Sequence, residues 1–201
     1  MSALSISWGK TWSDLALVPP SGLLEHLLDA YQEPQRAYHS LQHLAECISL
    51  FEEVRNLAKY PGEVAIALWF HDAIYNVKSK DNERQSCNWA LRILRTCGAN
   101  QPMLERVENL IMATKHDVVP VQPDEQLLVD IDLAILGAAP QRFAEYDQQV
   151  RIEYSWVPSI VYKIKRHSIL TSFLARPNIY NTPYFRKTYE SQARLNLAAV
   201  A

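Results

Sequence analysis

The chain has 201 residues, of which 48% are hydrophobic and 21% are charged, and its formal net charge is −2. This length suits one domain with a single large core, and the composition is that of an ordinary soluble globular protein. The near-balanced charge gives no reason to expect nucleic acid or an anionic membrane as the main partner, and no apolar run reaches the roughly 18 residues of a membrane-spanning helix.

Apolar residues recur at helical spacing along most of the chain. Residues 39–58 form the first predicted amphipathic helix, and Pro61-Gly62 is expected to break it. The next segment, 63–75 (EVAIALWFHDAIY), is apolar on all sides. Such a pattern is typical of a helix buried at the centre of a domain.

The remaining helices are predicted from apolar spacing together with a cap, a proline or a glycine near their ends. They begin at residues 81, 102 and 123 and then cover 140–154, 158–175 and 183–199. No convincing strand alternation occurs, so we expect an all-α protein of about eight helices around the buried 63–75 segment.

The three cysteines, Cys47, Cys87 and Cys97, fall at apolar helical positions and show no CxxC spacing. An odd number without such spacing favours packed thiols in a reducing compartment over disulfides or metal ligands. The N-terminal residues also lack the pattern of a signal peptide. We therefore expect a cytoplasmic protein.

Histidines and an aspartate lie beside these hydrophobic segments. His39 and His43 are four residues apart, a spacing that puts both on one face of a helix. His71 and Asp72 lie within the segment that is predicted to be buried, where an unpartnered carboxylate is costly. These residues are either hydrogen-bonded core groups or ligands of a divalent cation, which imidazole nitrogen and carboxylate oxygen both suit.

Four such residues do not complete an octahedral metal site, so a third segment is expected to contribute. One candidate is the sequence DID, which places Asp130 and Asp132 in an otherwise apolar helix. The other is His116, which follows the predicted helix that begins at residue 102. It can equally interact with the C-terminal dipole of that helix.

Taken together, these motifs resemble the HD superfamily of metal-dependent phosphohydrolases. The similar segments extend over most of the chain, and they are YHSLQH, ALWFHDAIYN, NERQS, ATKH, DIDLAILG and the tail EY…R…IL…FLARPNIY. The resemblance implies a single HD-type domain over residues 1–201. Its metal-site core would be about 36–137, with the C-terminal helices 138–201 packing on it.

The resemblance also implies which residues hold the metal. His43, His71 and Asp72 match the metal-binding histidine and the His-Asp pair of that superfamily. Asp132 matches the closing aspartate because a leucine follows it, and Asp130 is the reserve. The implied ion is a divalent metal such as Mn, Fe, Co, Ni, Zn or Mg.

The stretch Tyr38-His39 is similar to the YHNxxH signature of cyclic-nucleotide phosphodiesterases. That similarity implies that His39 protonates the leaving oxygen. Here Ser40 replaces the asparagine, and Tyr75 and Asn76 stand where a further histidine follows the His-Asp pair in those enzymes. Specificity for cyclic nucleotides is therefore not implied.

Further catalytic roles follow from the same resemblance. Asp72 would be both a ligand and the base for a metal-activated water, and Glu83 would orient water or a ligating histidine. Glu83 can also simply be a favourable first-turn carboxylate. One of the tail arginines, Arg151, Arg166 or Arg176, would bind the phosphoryl group, although such residues are commonly surface ion pairs.

The expected function is hydrolysis of a small phosphorylated metabolite or nucleotide, as a phosphomonoesterase or phosphodiesterase. One alternative is an HD-type di-iron oxygenase, and another is a non-catalytic module that binds a nucleotide. Only His116 lies between the His-Asp pair and the last aspartate, which favours one metal ion. We expect no membrane partner and no nucleic-acid polymer, and a homodimer is left open.

Overall fold

The computed structural model describes residues 3–200, which form ten α-helices and two short 3-10 helices. No β-strand is present in this part of the chain, so the all-α prediction is confirmed. The helices are α1 (Ala3–Leu15), α2 (Leu23–Ala30), α3 (Leu41–Val54), α4 (Pro61–Phe70), α5 (Asn82–Thr96), α6 (Gln101–Ala113), α7 (Pro123–Asp132), α8 (Pro140–Glu153), α9 (Ser159–Leu174) and α10 (Pro183–Val200). The 3-10 helices Arg55–Leu57 and Leu133–Gly137 continue α3 and α7.

The chain divides into two compact units, residues 1–131 and 132–201. The first contains α1 to α6 and all of α7 except its last residue, and the second contains α8 to α10. The division lies close to the predicted internal boundary between residues 137 and 138. That the two units form one domain stays a prediction.

Helix α4 is the core of the first unit. Its residues from Gly62 to Phe70 are all buried, and it packs against α1, α3, α5 and α6. The prediction of a buried central helix is therefore confirmed, although its bounds differ. The helix begins at Pro61, whose missing N–H and restricted φ suit a first turn.

The same helix ends earlier than the apolar pattern indicates. It stops at Phe70, and the N–H of Ala73 donates to the Phe70 carbonyl in a tight turn. His71 and Asp72 therefore lie in the turn that follows α4 and not within the helix, which corrects the prediction of a helix over 63–75.

Two N-terminal helices, α1 and α2, were not predicted from the sequence. In α1, Trp8 and Trp12 lie four residues apart and form one buried face, with ring centroids 5.5 Å apart. The Trp8 ring also lies 5.0 Å from that of Trp69 on α4. The i, i+4 spacing of the tryptophans was a usable helix signal, but Gly9 and Thr11 between them are weak helix formers and obscured it.

In the second unit, the 3-10 helix after α7 packs closely against α10. The Asn196 side-chain amide donates to the carbonyls of Leu136 and Ala138, at 2.9 and 2.8 Å. A Cβ on Gly137 would lie 2.7 Å from the Tyr189 carbonyl oxygen, so only glycine fits this contact.

No helix within residues 3–200 combines the length and the apolar character that crossing a membrane requires. The longest, α10, has 18 residues and a mixed composition.

The contact between α1 and α4 predicts opposite effects for two glycine substitutions. A Cβ on Gly62 would lie 2.9 Å from both the Asp14 Cβ and the Leu15 backbone nitrogen. We expect Gly62→Ala to lower the free energy of unfolding by about 1–2 kcal/mol, because overpacking against backbone outweighs a gain in helix propensity of at most about 1 kcal/mol. Urea unfolding followed by circular dichroism measures this change.

Gly9→Ala is the matched control, since nothing lies within 4 Å of a Cβ built on Gly9 in the interior of α1. We expect it to raise the free energy of unfolding by about 0.5–1 kcal/mol. Equal stabilisation by both substitutions would contradict the close packing of α1 on α4.

Candidate metal centre

Helix α3 brings His43 to the centre. The helix begins at Leu41 after Ser40 in an extended conformation, and His43 lies buried in its first turn. His39 lies in the turn before the helix, so the prediction that His39 and His43 share a helix face is wrong. The two imidazole rings are nevertheless neighbours, with centroids 6.1 Å apart.

The turn after α4 brings in His71, which is 1% exposed. Its Nδ1 lies 2.8 Å from the Leu68 carbonyl oxygen, an acceptor, so Nδ1 carries the proton. In the neutral ring this leaves the Nε2 lone pair available, and Nε2 lies 3.2 Å from Nε2 of His43. A backbone carbonyl that orients a histidine in this way is a common support for a metal ligand.

The carboxylate of Asp72 lies against both rings. Its Oδ2 is 3.1 Å from His71 Nε2 and 3.6 Å from His43 Nε2. Donor atoms held about 2.1 Å from one ion lie about 3.0 Å apart at a right angle and about 3.4 Å apart at the tetrahedral angle. The three observed separations are close to these values, so these side chains fit a single divalent ion. Without an ion, a proton shared between the two Nε2 atoms would fill the same role, and proton and metal would compete.

The charge of Asp72 also fits a cation. Burial by itself raises the pKa of this carboxyl, but the adjacent His71, His39 and His43 imidazoles hold the pKa well below its ordinary value. Asp72 is therefore ionised near neutral pH. A divalent ion would compensate this negative charge in a largely buried position.

Cys47 lies one helical turn beyond His43 and is also buried. Ligand atoms of His43, Cys47 and His71 all lie within 4.8 Å of one another, so these residues form a possible metal-binding group. However, Cys47 Sγ is 3.7 Å from Nδ1 and 3.8 Å from Nε2 of His43. A sulfur equally far from both ring nitrogens lies beside the ring and not in front of Nε2, so we consider Asp72 the better third ligand.

All three cysteines are free thiols, which agrees with the prediction that they form no disulfide. Cys47 and Cys87 are buried and Cys97 is half-buried. Burial raises the pKa of the Cys87 thiol to about 11, so it is a poor nucleophile at neutral pH.

Arg36 joins the two segments that carry the histidines, and the sequence analysis did not identify it. Its buried guanidinium donates to the carbonyls of His39, Asp72 and Ala73, at 3.0, 2.6 and 3.0 Å. It thereby ties the turn before α3 to the turn after α4. The sequence carries no signal of this role, because two of the three acceptors are carbonyls 36 and 37 residues away.

Tyr31 is a second support. Its hydroxyl is buried, donates to the Trp69 carbonyl at 3.2 Å and accepts from the Asp72 N–H at 3.3 Å. The hydroxyl therefore links the last turn of α4 to the backbone of Asp72, which restricts where the carboxylate can lie.

His39 stacks on Tyr75 with centroids 4.1 Å apart and an interplanar angle of 24°. It is half-buried, and it is one of the imidazoles that lower the pKa of Asp72. His39 thus lies near the carboxylate with part of its ring open to solvent, where it can exchange protons.

Two other predicted site residues, Glu83 and His116, lie outside this group. Glu83 is half-buried in the first turn of α5, and His116 follows α6 with a left-handed backbone, φ 57°. Within residues 3–200, neither belongs to the cluster of mutually close ligand atoms. Asp130 is fully buried, whereas Asp132 is the half-buried last residue of α7 and the first residue of the second unit.

The three tail arginines belong to the second unit. Arg151 donates to the Tyr154 and Val157 carbonyls, at 2.7 and 3.3 Å. Arg166 pairs with Asp147 through Nε and Nη2, at 3.0 and 2.9 Å. Arg176 lies over a phenylalanine ring at 4.4 Å, and burial lowers its pKa. Substrate binding by any of them stays a prediction.

Comparison with known proteins identifies no relative of this chain. No protein-family model, no curated protein and no solved structure matches this chain. The likeness to the HD superfamily therefore rests on the sequence motifs alone and stays a prediction.

The geometry predicts different effects of two neighbouring substitutions on metal binding. We expect His71→Ala to weaken Co²⁺ binding by about 100-fold or more, because it removes one of the facing imidazoles. Cys47→Ser should change the affinity by less than about threefold, because its sulfur does not face the Nε2 atoms. Isothermal titration of metal-free protein measures both.

The visible and near-ultraviolet spectrum of the Co²⁺ protein is an independent readout. We expect no thiolate-to-metal charge-transfer band in the wild-type protein. Such a band, if Cys47→Ser abolished it, would make Cys47 a ligand and contradict the assignment of Asp72 as the third donor.

The contacts of Arg36 predict that its substitution lowers both the stability of the protein and its affinity for the metal. Arg36→Ala leaves three carbonyls without their donor, so we expect the free energy of unfolding to fall by about 2–4 kcal/mol and the metal affinity to fall about 10–100-fold. Arg36→Lys should recover only part of both, because one ammonium cannot reproduce the guanidinium geometry.

Arg84→Ala is the control for Arg36. Arg84 pairs with Glu108 at 2.6 Å, and their side chains are 41% and 39% exposed. Arg84→Ala should lower the free energy of unfolding by less than about 1 kcal/mol and leave the metal affinity unchanged. An Arg36→Ala protein that folds and binds metal as tightly as wild type would refute the positioning role.

Proposed function

We propose that this centre binds one divalent metal ion and that the protein is a metal-dependent phosphohydrolase of the HD superfamily. One observation carries the proposal: imidazole nitrogens of His43 and His71 and a carboxylate oxygen of Asp72 converge within 3.1–3.6 Å. Buried donor sets of this composition are characteristic of metal sites with catalytic chemistry.

Asp132 is proposed as the fourth protein ligand, together with His43 and His71. Within the first unit, the start of α7 is hydrogen-bonded to the residues that precede α4. The Asp124 carboxylate accepts the N–H groups of Lys59 and Tyr60, at 2.8 and 2.9 Å. This anchoring orients the helix that ends in Asp132. Asp132 is also the aspartate that a leucine follows, as in the closing motif of the superfamily, which favours it over the reserve candidate Asp130.

The ion, when bound, would supply a Lewis acid that polarises a phosphoryl oxygen and lowers the pKa of a water. Asp72, held ionised by the surrounding imidazoles, would accept a proton from that water. His39 would donate a proton to the leaving oxygen from its partly exposed position. Arg36 and Tyr31 would keep the Asp72 backbone in place and thereby fix the direction of proton transfer.

The negative charge of a phosphoryl group calls for a further cation. Among the three candidate arginines, Arg151 donates to backbone carbonyls and Arg166 pairs with Asp147. We therefore favour Arg176, whose guanidinium has no carboxylate partner in the described part of the chain. A role for Glu83 or His116 stays a prediction.

The test is a screen of phosphomonoesters, phosphodiesters and nucleotides against Mn²⁺, Co²⁺, Ni²⁺, Zn²⁺ and Mg²⁺. We expect turnover that depends on the metal and is abolished, together with metal binding, in Asp72→Ala. His39→Gln should retain the metal and lower kcat by about 10²- to 10⁴-fold, as expected for loss of a general acid. Cys47→Ser is the control and should remain active.

Two results would refute the proposal. One is hydrolysis of a phosphoester that survives Asp72→Ala. The other is about two irons per chain in protein purified without added metal, together with consumption of dioxygen, which would favour the oxygenase alternative.

A further inference from the structure

Helix α9 exposes much of its apolar surface to solvent. Of its 16 residues only Leu170 and Phe173 are buried, whereas Ile160 and Ile164, one helical turn apart, are 73% and 66% exposed. Scattered exposed apolar residues are ordinary, but exposed apolar side chains that adjoin on one helix face are a feature of interaction sites.

The segment that precedes α9 in the chain also exposes apolar side chains. Ile152 near the end of α8 and Trp156 in the following turn are 61% and 52% exposed, and Val161 in the first turn of α9 is 43% exposed. We call these residues, with Ile160 and Ile164, the α9 patch. Its tryptophan and branched aliphatic residues are of the type found where a helix lies in a lipid–water interface.

The charges around the α9 patch are cationic. Helix α9 carries Lys163, Lys165, Arg166 and His167 and no carboxylate, and both lysines are exposed. Arg166 is compensated by Asp147, which leaves the lysines as the exposed charges beside the patch. An exposed apolar stripe with flanking lysines is the pattern of a helix that adsorbs to an anionic surface.

The two units have opposite net charges. Residues 132–201 contain nine Lys and Arg against five Asp and Glu, a net charge of +4, and residues 1–131 contain 11 against 17, a net charge of −6. The near-neutral total of −2 conceals this difference. The basic unit is the one that carries the α9 patch, so the charge favours an anionic partner.

Three kinds of partner can cover such a surface. A second copy of the chain, paired through α9, would bring lysines against lysines, and like charges oppose that contact. A nucleic acid would use the lysines but has no need of five exposed aliphatic and indole side chains. An anionic lipid surface uses both, because the acyl region accepts the apolar side chains and the headgroups accept the lysines.

We propose that the α9 patch binds the surface of a membrane containing anionic lipids. The helix would lie in the plane of the headgroups, with Ile160, Ile164 and Trp156 inserted and Lys163 and Lys165 at headgroup level. Such binding is peripheral, consistent with the absence of a membrane-spanning helix in residues 3–200. It departs from the expectation of no membrane partner, which was drawn from the charge of the whole chain and from the lack of a long apolar run.

Vesicle flotation of the full-length protein tests this proposal. We expect the protein to float with vesicles of phosphatidylcholine and phosphatidylserine, to float much less with phosphatidylcholine alone, and to be released by high salt. Ile160→Asp/Ile164→Asp and Lys163→Glu/Lys165→Glu should each lower the partition coefficient about tenfold or more. All four positions are exposed, so both variants should keep the wild-type circular dichroism spectrum and Tm.

The matched control is Val118→Asp/Val119→Asp, at two residues of the first unit that are 77% and 63% exposed. This variant should float like the wild type. The proposal is overturned if the wild-type protein does not float with either vesicle, or if the Ile160→Asp/Ile164→Asp variant floats as well as wild type. Absence of flotation together with a dimer in sedimentation velocity, lost in that same variant, would assign the patch to a second copy instead.

Discussion

Two imidazole nitrogens that face each other at 3.2 Å inside a protein need a proton or a metal ion between them. If both carried only lone pairs they would repel, and a proton or a metal ion resolves that conflict. The Leu68 carbonyl commits Nδ1 of His71 to donation, so its Nε2 must be the accepting atom in the neutral ring. Asp72, whose pKa the neighbouring imidazoles hold low, adds a negatively charged carboxylate to the same space, and a divalent ion would compensate that charge. The rest of the candidate site depends on this approach of His43 to His71.

The fold holds that approach through backbone groups. Helix α4 is buried on all sides, so its end is fixed in position, and the turn that follows carries Asp72. Arg36 binds the carbonyls of this turn and of the turn before α3, and Tyr31 binds the Asp72 N–H. A buried guanidinium is costly without partners, and here three carbonyls and the Glu33 carboxylate compensate it. The two supports hold the Asp72 backbone and leave its side chain free to serve as a ligand.

The two proposals concern different parts of the chain and different physics. The metal centre is a matter of short distances among buried donors, where a shift of an ångström changes the chemistry. The proposed role of the α9 patch depends on exposed apolar area and on long-range charge, and the net charges of the two units have opposite signs. A hydrolase with a membrane-binding helix would work near substrates that are themselves at a lipid surface, but each proposal is tested without the other.

The sequence by itself determined most of the helices and identified three residues of the candidate metal centre. Apolar periodicity is a local property, so α3, the buried α4 and the helices from α5 to α10 were all predicted from spacing, prolines and glycines. Motif spacing singled out His43, His71 and Asp72, which the structure brings within 3.6 Å of one another. Tertiary structure alone decided the end of α4 at Phe70, the role of Arg36 and the exposure of α9. Each of these depends on groups far apart in the chain, or on which helix face finds no neighbour, and neither is written in a local pattern of residues.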